Sequence, residues 1–369
     1  MGQLQEIRCV RDGTYNENVN VNKRLTIRSE NGATSSTVTA LNPDNHVFEV
    51  TSDYVNIRGF TVTGANEDYR AEIYLYYANY CNIFYNTLSN SDYGIYLFSS
   101  SNKNTLMGNI ASNNYYGIWL ASSSNNTLTG NVMSDNSYNF GVGGSSLSAF
   151  INNIDTTNKV DGKPVYYWVD RHDQKIPDDA GYVGVVDSTN ITVEDLTLEG
   201  NGQGILFAYT SNSKIVNVNV SKNYNGVSLW YSSNNIITNN NASNNFTGIS
   251  LHYSSNNNTI MNNTASNNEF GIYLSYSSNN STITNNIASN NNYGVWLLYS
   301  SSKNTLMGNT ASDNNYGIYL EYSYNNLIYN NYLNNTYNAI DNGNNIWNTT
   351  KTLGTNIIGG PYLGGNYWS

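Results

Sequence analysis

A short repeat constrains this sequence more than any other feature. From Phe246 to Tyr322 the chain repeats a glycine, a few alternating apolar residues and a Ser/Asn-rich stretch, as in FGIYLSYSSNNSTITNNIASNNN. A period this short and regular predicts a solenoid, in which each repeat stacks on its neighbours. The repeat glycines follow one another at steps of 22 to 24 residues within two blocks: Gly94, Gly117 and Gly141, then Gly204, Gly226, Gly248, Gly271, Gly294 and Gly317.

Each repeat contains strand periodicity and no helical periodicity. Ile272 and Leu274 alternate with small or outward residues, which is the pattern of a half-buried strand. Ile283 and Ile287 mark two further short strands, and the Ser, Asn and Gly between them suit tight turns. Three strands and three turns per repeat predict an all-β parallel β-helix. The constant step places one inward column at Ile272, Val295 and Ile318.

Asparagine recurs at a fixed position, eight residues before a repeat glycine. Stacked rungs place such residues about 4.8 Å apart, close enough for amide-to-amide hydrogen bonds. Asparagine is also a common turn residue, so turn formation alone is the alternative explanation. The fixed phase favours a structural ladder of Asn86, Asn109, Asn240, Asn263, Asn286 and Asn309.

Two longer segments carry a family resemblance. The segment GKPVYYWVDRHDQKIPDDAGYVGVVDSTNITVEDLTLEGNGQGILFAYTSNSKI and the end NIWNTTKTLGTNIIGGPYLGGNYWS resemble the NosD-like, CASH-type β-helix repeats common in archaeal cell-surface proteins. The resemblance implies a single-stranded right-handed parallel β-helix of the pectate-lyase type and an extracellular location. It leaves function open, because the family mixes sugar-acting enzymes, a copper-enzyme accessory protein and surface proteins.

One repeat runs through most of the chain, so we predict a single elongated β-helix domain over residues 1–369. A charged, aromatic stretch breaks the period and predicts a loop or small hairpin lying against the rod. The predicted parts are irregular rungs at 1–92, regular rungs at 93–154, the insertion at 155–181, regular rungs at 182–332 and a C-terminal cap at 333–369.

The charge balance narrows the choice of partners. Charged residues make up 11% of the chain and the formal net charge is −10, which disfavours an electrostatic nucleic-acid partner. No signal peptide and no apolar run of membrane-spanning length is present, and we expect a piece of a longer secreted protein. Cys9 and Cys81 fall on well-separated rungs, which argues against a disulfide and predicts two buried small residues.

A column of aromatic residues lies two positions after the repeat glycines. These side chains point outward if the neighbouring Ile and Leu point inward, and stacked rings offer an apolar face to sugars. Structural stacking that shields the sheet is the alternative. The predicted glycan-binding residues are Tyr96, Trp119, Tyr273, Trp296 and Tyr319, with Trp168 of the insertion. Tyr253, Tyr276, Tyr299 and Tyr322 form a second column beside a turn, for which we predict structural stacking.

The insertion is the only candidate for catalysis. Asp170, Arg171, His172 and Asp173 provide acids, a base and a cation within a few residues. Enzymes on this fold place such groups on one outer face to abstract a proton or protonate a leaving oxygen. The alternative is that these side chains only tie the loop down by ion pairs.

Metal ligands are sparse. His46, His172 and His252 are widely separated and the methionines form no cluster, so we predict no copper site and no cofactor. Calcium at Asp178 and Asp179 is a weaker hypothesis, because no calcium-loop motif is present.

The leading hypothesis is therefore an extracellular structural or glycan-binding module of a cell-surface protein. Its expected partners are a surface glycan or polysaccharide and neighbouring surface-layer proteins. The rival hypothesis is a polysaccharide lyase, glycoside hydrolase or epimerase that uses the insertion. The two differ in whether three or more ionisable side chains converge in a groove beside residues 160–200.

Overall fold

The computed structural model describes residues 6–369, which form two compact units. Unit 1 runs up to Val169 and includes Gly200–Gly202, whereas unit 2 comprises Asp170–Glu199 and Gln203–Ser369. The predicted start of the domain at Met1 lies outside the described residues. The boundary at Val169 falls inside the predicted insertion, and the prediction of a single domain stays a prediction.

Unit 1 is a parallel β-helix with three sheets, here called A, B and C. Sheet A contains Glu6–Val10, Leu25–Ser29, Asn56–Arg58, Asn82–Phe84, Thr105–Met107, Thr127–Thr129 and Asn153–Ile154. Sheet B contains Gly13–Asn16, Ser36–Thr39, Thr61–Thr63, Thr87–Ser89, Ile110–Ser112, Val132–Ser134, Lys159–Val160 and Lys163–Val169. Sheet C contains Val19–Val21, Phe48–Val50, Ala71–Tyr76, Tyr93–Phe98, Tyr116–Ala121 and Tyr138–Gly143.

Unit 2 repeats the same architecture with sheets D, E and F. Sheet D contains Tyr182–Val186, Gln203–Ala208, Asn225–Trp230, Thr247–His252, Phe270–Leu274, Tyr293–Leu298, Tyr316–Glu321 and Tyr337–Asp341. Sheet E contains His172–Lys175, Thr189–Glu194, Lys214–Val216, Ile236–Thr238, Thr259–Met261, Thr282–Thr284, Thr305–Met307 and Leu327–Tyr329. Sheet F contains Thr197–Glu199, Asn219–Ser221, Asn241–Ala242, Thr264–Ser266, Ile287–Ser289, Thr310–Ser312, Tyr332–Asn334 and Tyr367–Trp368.

The parallel β-helix predicted from the repeat is confirmed, and its rungs are stacked in register. Ile272 pairs with Val295, and Val295 pairs with Ile318. These three side chains are at most 1% exposed, so the inward column forms the core of sheet D. Burial of a side chain of this size contributes about 1.5–3 kcal/mol, and the core gains its stability by repeating that contribution on every rung.

The ladder asparagines are buried and bonded from rung to rung. Asn263 Nδ2 donates to Asn286 Oδ1 at 3.0 Å and to the Ile237 carbonyl at 2.9 Å, and its backbone N–H donates to the same Asn286 oxygen. Each amide thus satisfies turn groups that water does not reach. The ladder extends past the predicted residues to Asn131, Asn331 and Asn366. Comparable ladders at the other turns include Asn104, Asn126, Asn223, Asn245, Asn268, Asn291 and Asn314.

The tyrosine column beside the turn has left-handed backbone geometry. Its φ values run from 48° to 54° in Tyr209, Tyr231, Tyr253, Tyr276, Tyr299 and Tyr322. A bulky residue is disfavoured in this region of φ and ψ. Successive rings stack at centroid distances of 4.7–6.2 Å, which offsets part of that cost. The geometry gives this column a structural role.

Residues 155–181 do not form one excursion. Lys159–Val160 and Lys163–Val169 make an antiparallel hairpin in unit 1. His172–Lys175 instead joins sheet E as a strand parallel to Thr189–Glu194 in unit 2. The expected loop is therefore partly a hairpin and partly an ordinary rung strand.

Three further features depart from or extend the predicted pattern. A one-turn helix, α1 (Leu147–Phe150), interrupts the rungs predicted to be regular over 93–154. Cys9 is exposed rather than buried, because it pairs with Arg28 on the outer face of sheet A. Cys81 is buried, burial raises the pKa of its thiol to about 12, and both thiols are free.

The C-terminal segment continues the sheets before it ends in an irregular arrangement. Tyr337–Asp341 pairs with sheet D and Tyr367–Trp368 with sheet F, while Thr352–Leu353 and Tyr362–Leu363 form an antiparallel pair. None of the helices in the described part of the chain is long and apolar enough to cross a membrane.

Candidate functional site

The outward column of sheet D changes character along unit 2. In register, its side chains are Ser228, Ser250, Tyr273, Trp296 and Tyr319. The three aromatic members are partly buried, because rings on the strand starts pack beside them. The predicted ring column therefore exists from Tyr273 onward and stops at the two serines.

Because the serine side chains are small, neighbouring aromatic rings can lie over them. Trp230 Nε1 donates to Ser228 Oγ at 2.9 Å, and Ser228 and Ser250 are fully buried. His252 is held in the next rung, where its Nδ1 lies 2.8 Å from Ser275 Oγ. The rings of Trp230 and His252 lie 5.0 Å apart and form one wall of a depression.

A second row of rings forms the opposite wall. Tyr224 stacks on Phe246 at 4.7 Å, and Phe246 meets Phe270 edge-on at 5.5 Å. Tyr273 and Trp296 close the end, with ring centroids 5.2 Å apart. We call the resulting space of ≈ 240 Å³ the aromatic groove; it is lined by Tyr224, Asn225, Trp230, Phe246, Thr247, His252, Phe270, Tyr273 and Trp296.

The aromatic groove is uncharged. None of its lining residues is Asp, Glu, Lys or Arg. Burial lowers the pKa of His252 to about 4 and raises the pKa of Tyr273 to about 12, so both side chains are neutral at physiological pH. The amide of Asn225 and the hydroxyl of Thr247 provide hydrogen-bonding groups between the rings.

On sheet C of unit 1, rings occupy the outward column on three successive rungs. Its outward column pairs Tyr74, Tyr96 and Trp119 in register on sheet C. Trp119 lies against Gly141 and Gly202, where an added Cβ would collide with its ring. Further rings cover the sides of the column, among them Tyr93, Tyr116 and Tyr138. The predicted residues Tyr96 and Trp119 thus lie in a cluster of packed rings and are partly buried.

The insertion residues Asp170, Arg171, His172 and Asp173 are all exposed. Asp170 Oδ1 lies 3.3 Å from His172 Nε2. Asp173 Oδ1 accepts a hydrogen bond from Asn190 Nδ2 at 2.6 Å. The backbone of Arg171 joins the rung, since its N–H donates to Ser188 Oγ.

These contacts tie the insertion strand to sheet E. Lys175 contributes in the same way through a 2.7 Å ion pair with Glu194, which raises the pKa of Lys175. Trp168 belongs to unit 1, where it is partly buried and meets Tyr166 edge-on. A catalytic role for Asp170, Arg171, His172 and Asp173 stays a prediction.

The residues present do not fit a copper site. His46 is partly buried, stacks on Tyr74 and accepts the Ala71 N–H at its Nδ1, while His252 is bonded to Ser275 and His172 is exposed. Among residues 6–369 no group of three or more His, Cys, Asp or Glu side chains is placed to hold a metal ion. Asp178 and Asp179, the calcium candidates, are exposed. We derive no chemistry through a metal, and the absence of copper binding stays a prediction.

Sequence reasoning found two of the groove residues, Tyr273 and Trp296, and missed the rest. A signal was present in the repeat alignment. Ser228 and Ser250 occupy the ring position in two successive rungs, and Trp230 and His252 follow two residues later. Two small residues beside two large rings mark the place where the aromatic run of the column ends.

Solved structures similar to this chain include polysaccharide-acting β-helix proteins and a tailspike protein. The A-module of the mannuronan C-5 epimerase AlgE6 from Azotobacter vinelandii is 14% identical, with 92% of this chain and 91% of that chain covered and a TM-score of 0.37. The periplasmic alginate epimerase AlgG is 14% identical, with 84% and 62% covered and a TM-score of 0.36.

A third similar structure is the catalytic unit of a GH87 α-1,3-glucanase from Streptomyces thermodiastaticus, at 12% identity, 92% and 62% coverage and a TM-score of 0.35. This chain spans about three fifths of the length of the last two proteins. At these TM-scores we base no argument on the similarities.

A search of curated proteins returned no significant match. The chain does match the family described as Periplasmic copper-binding protein (NosD), over residues 11–164 and 158–369. These matches cover nearly the whole sequence, including the two segments that carried the resemblance. The chain belongs to the NosD family of β-helix proteins.

Proposed function

We propose that this chain is a glycan-binding module and that the aromatic groove of unit 2 binds the sugar. The observation that carries the proposal is the composition of the groove, in which aromatic rings form both walls and one end. Ring faces pack against the apolar faces of sugars, and the polar groups of Asn225 and Thr247 suit sugar hydroxyls.

The groove favours an uncharged sugar. A carboxylate or sulfate placed between these rings would lose its water and gain no cation in return, which is costly. A neutral hexose chain carries no such cost. The groove crosses the rungs of Asn225, Thr247, Phe270 and Trp296, a span of about 14 Å at the usual rung spacing, so it favours an oligosaccharide over a single sugar.

A polysaccharide-cleaving or epimerising activity at the insertion has no comparable support. The candidate catalytic residues Asp170, Arg171, His172 and Asp173 are exposed; Asp170 lies 3.3 Å from His172 Nε2, and Asp173 accepts a hydrogen bond from Asn190. The ionisable side chains that lie together beside residues 160–200 are Lys175, Glu194, Asp195 and Asp178, and Lys175 is neutralised by its ion pair with Glu194. Location is part of the proposal: the family description supports an exported protein, and display at the cell surface is our inference.

The test is binding of the full chain to a glycan array, followed by calorimetry with neutral oligosaccharides of increasing length. Phe246→Ala and Trp296→Ala should each weaken binding about five- to tenfold, on the scale of aromatic contact energies of about 1 kcal/mol. Tyr322→Ala is the matched control, since this exposed ring lies in the turn column outside the groove. Equal losses in control and groove variants would contradict the proposal.

A further inference from the structure

Unit 1 carries a cationic groove on the outer face of sheet A. Arg28 and Arg58 are direct partners in register on adjacent strands, and both are exposed. They line a depression of ≈ 260 Å³, which we call the arginine groove; its other lining residues are Ile7, Thr26, Asn56, Asn82 and Phe84. Like charges held side by side on a sheet repel each other, so this pair is unfavourable unless an anion joins it.

No carboxylate neutralises the pair. Among the described residues, neither arginine forms an ion pair; Arg58 rests over the Tyr85 ring at 5.2 Å. Glu6 pairs instead with Arg8 and Lys23, and Asp53 accepts two hydrogen bonds from Asn79. The pair is left without an anion although the chain has 26 acidic residues.

The groups beside the arginines suit a sugar. Asn82 Nδ2 donates to Asn56 Oδ1 at 2.6 Å, and Asn56 Nδ2 donates to Thr26 Oγ1 at 2.9 Å, so the amides are fixed in orientation. Phe84 follows Arg58 in register and places a partly buried ring at the end of the groove. The surface combines two guanidinium groups, a fixed polar row and one ring.

We propose that the arginine groove binds the anionic group of an acidic sugar, a carboxylate or a sulfate. A guanidinium group donates two parallel hydrogen bonds to such an anion, and two guanidinium groups from adjacent rungs hold it from both sides. The ring of Phe84 packs against the sugar that carries the anion. The site is independent of the aromatic groove, which takes an uncharged sugar.

The test uses the full chain with oligogalacturonates, sulfated dextran oligomers and neutral dextran oligomers, by calorimetry at low and moderate salt. The double variant Arg28→Gln/Arg58→Gln should weaken binding of an anionic oligomer at least tenfold. Arg28→Lys/Arg58→Lys keeps the charge and loses the paired donors, so it should give an intermediate loss. Binding of only one of the two anionic oligomers would identify which anion the site takes.

The control is Lys163→Gln/Lys303→Gln, which removes two other exposed cations. An equal loss in this control, an equal loss of neutral-oligomer binding in Arg28→Gln/Arg58→Gln, equal binding of single-stranded DNA, or no binding of either anionic oligomer would each overturn the proposal. Phe246→Ala should leave anionic binding unchanged, which separates failure of this site from failure of the aromatic groove. Thermal melting of each variant checks that the fold is retained.

Discussion

Unit 1 and unit 2 present different surfaces on the same outward column of the repeat. In unit 1 the column is aromatic through Tyr74, Tyr96 and Trp119, and neighbouring rings pack against it. In unit 2 the rings end at two serines, and the rings around these serines enclose the aromatic groove. A β-helix thus makes a concave site by omitting large outward side chains on consecutive rungs, without altering its backbone.

The two units also differ at the strand position two residues before the outward column. Glu72 occupies the position in sheet C that is Gly94 in the next rung, and it is fully buried. Burial raises the pKa of Glu72 well above its usual value of 4.5, an effect that Ser91 and the Ser89 backbone only partly offset. In sheet D the corresponding position is glycine from Gly204 to Gly317.

The largest expected effect comes from disrupting the buried core of unit 2, which supports the aromatic groove. Val295→Asp places a charge in the inward column of sheet D and should destabilise unit 2 by several kcal/mol, because no partner is available there. Urea denaturation measures the loss. Trp296→Ala, the outward neighbour on the same strand, should cost much less. Equal losses would mean that the inward and outward faces are assigned wrongly.

The next prediction tests the effect of Glu72, which unit 1 has at a position where unit 2 has glycine. Glu72 makes a contribution to wild-type stability that declines as pH rises above about 4.5, because the unfolded chain then releases the Glu72 proton and the folded chain keeps it. Glu72→Gln removes this decline, so its advantage should grow by at most about 1.4 kcal/mol per pH unit. Urea denaturation at several pH values from 4 to 8 tests this. Parallel pH profiles of stability for the wild type and Glu72→Gln would refute a raised pKa for Glu72.

A third change makes the outward column of unit 2 resemble that of unit 1. Ser250→Tyr extends the run of outward rings by one rung. It should weaken binding of neutral oligosaccharides about tenfold, since the added ring occupies space in the aromatic groove. Ser254→Tyr, at an exposed turn position, is the control. Calorimetry provides the affinities. Unchanged affinity in Ser250→Tyr would show that the sugar does not enter the groove.

The smallest expected effect is a pH profile that stays flat. Because burial lowers the pKa of His252 to about 4, the ring is neutral throughout the range from pH 5.5 to 8. Affinity for a neutral oligosaccharide should therefore vary by no more than about twofold across that range. A tenfold change centred near pH 6.5 would indicate a histidine with an ordinary pKa in the binding site.

Much of the scaffold follows from the sequence, because a single period sets it. The step between glycines places Ile272, Val295 and Ile318 in one column, and the stacked side chains are identical or similar from rung to rung. The same logic places the asparagines that bond along the turns. Local repetition is enough for these features, since each rung meets a near copy of itself.

The two proposed binding sites depend on contacts between side chains that the repeat period does not specify. The aromatic groove depends on Trp230 lying over Ser228 and on rings from several different rungs. The arginine groove depends on Arg28 and Arg58 becoming neighbours across an irregular rung of 30 residues, and Cys9 was misplaced for the same reason. Where the repeat is regular, the sequence alone determines which side chains meet; where spacing or side-chain size departs from it, only the folded rungs decide.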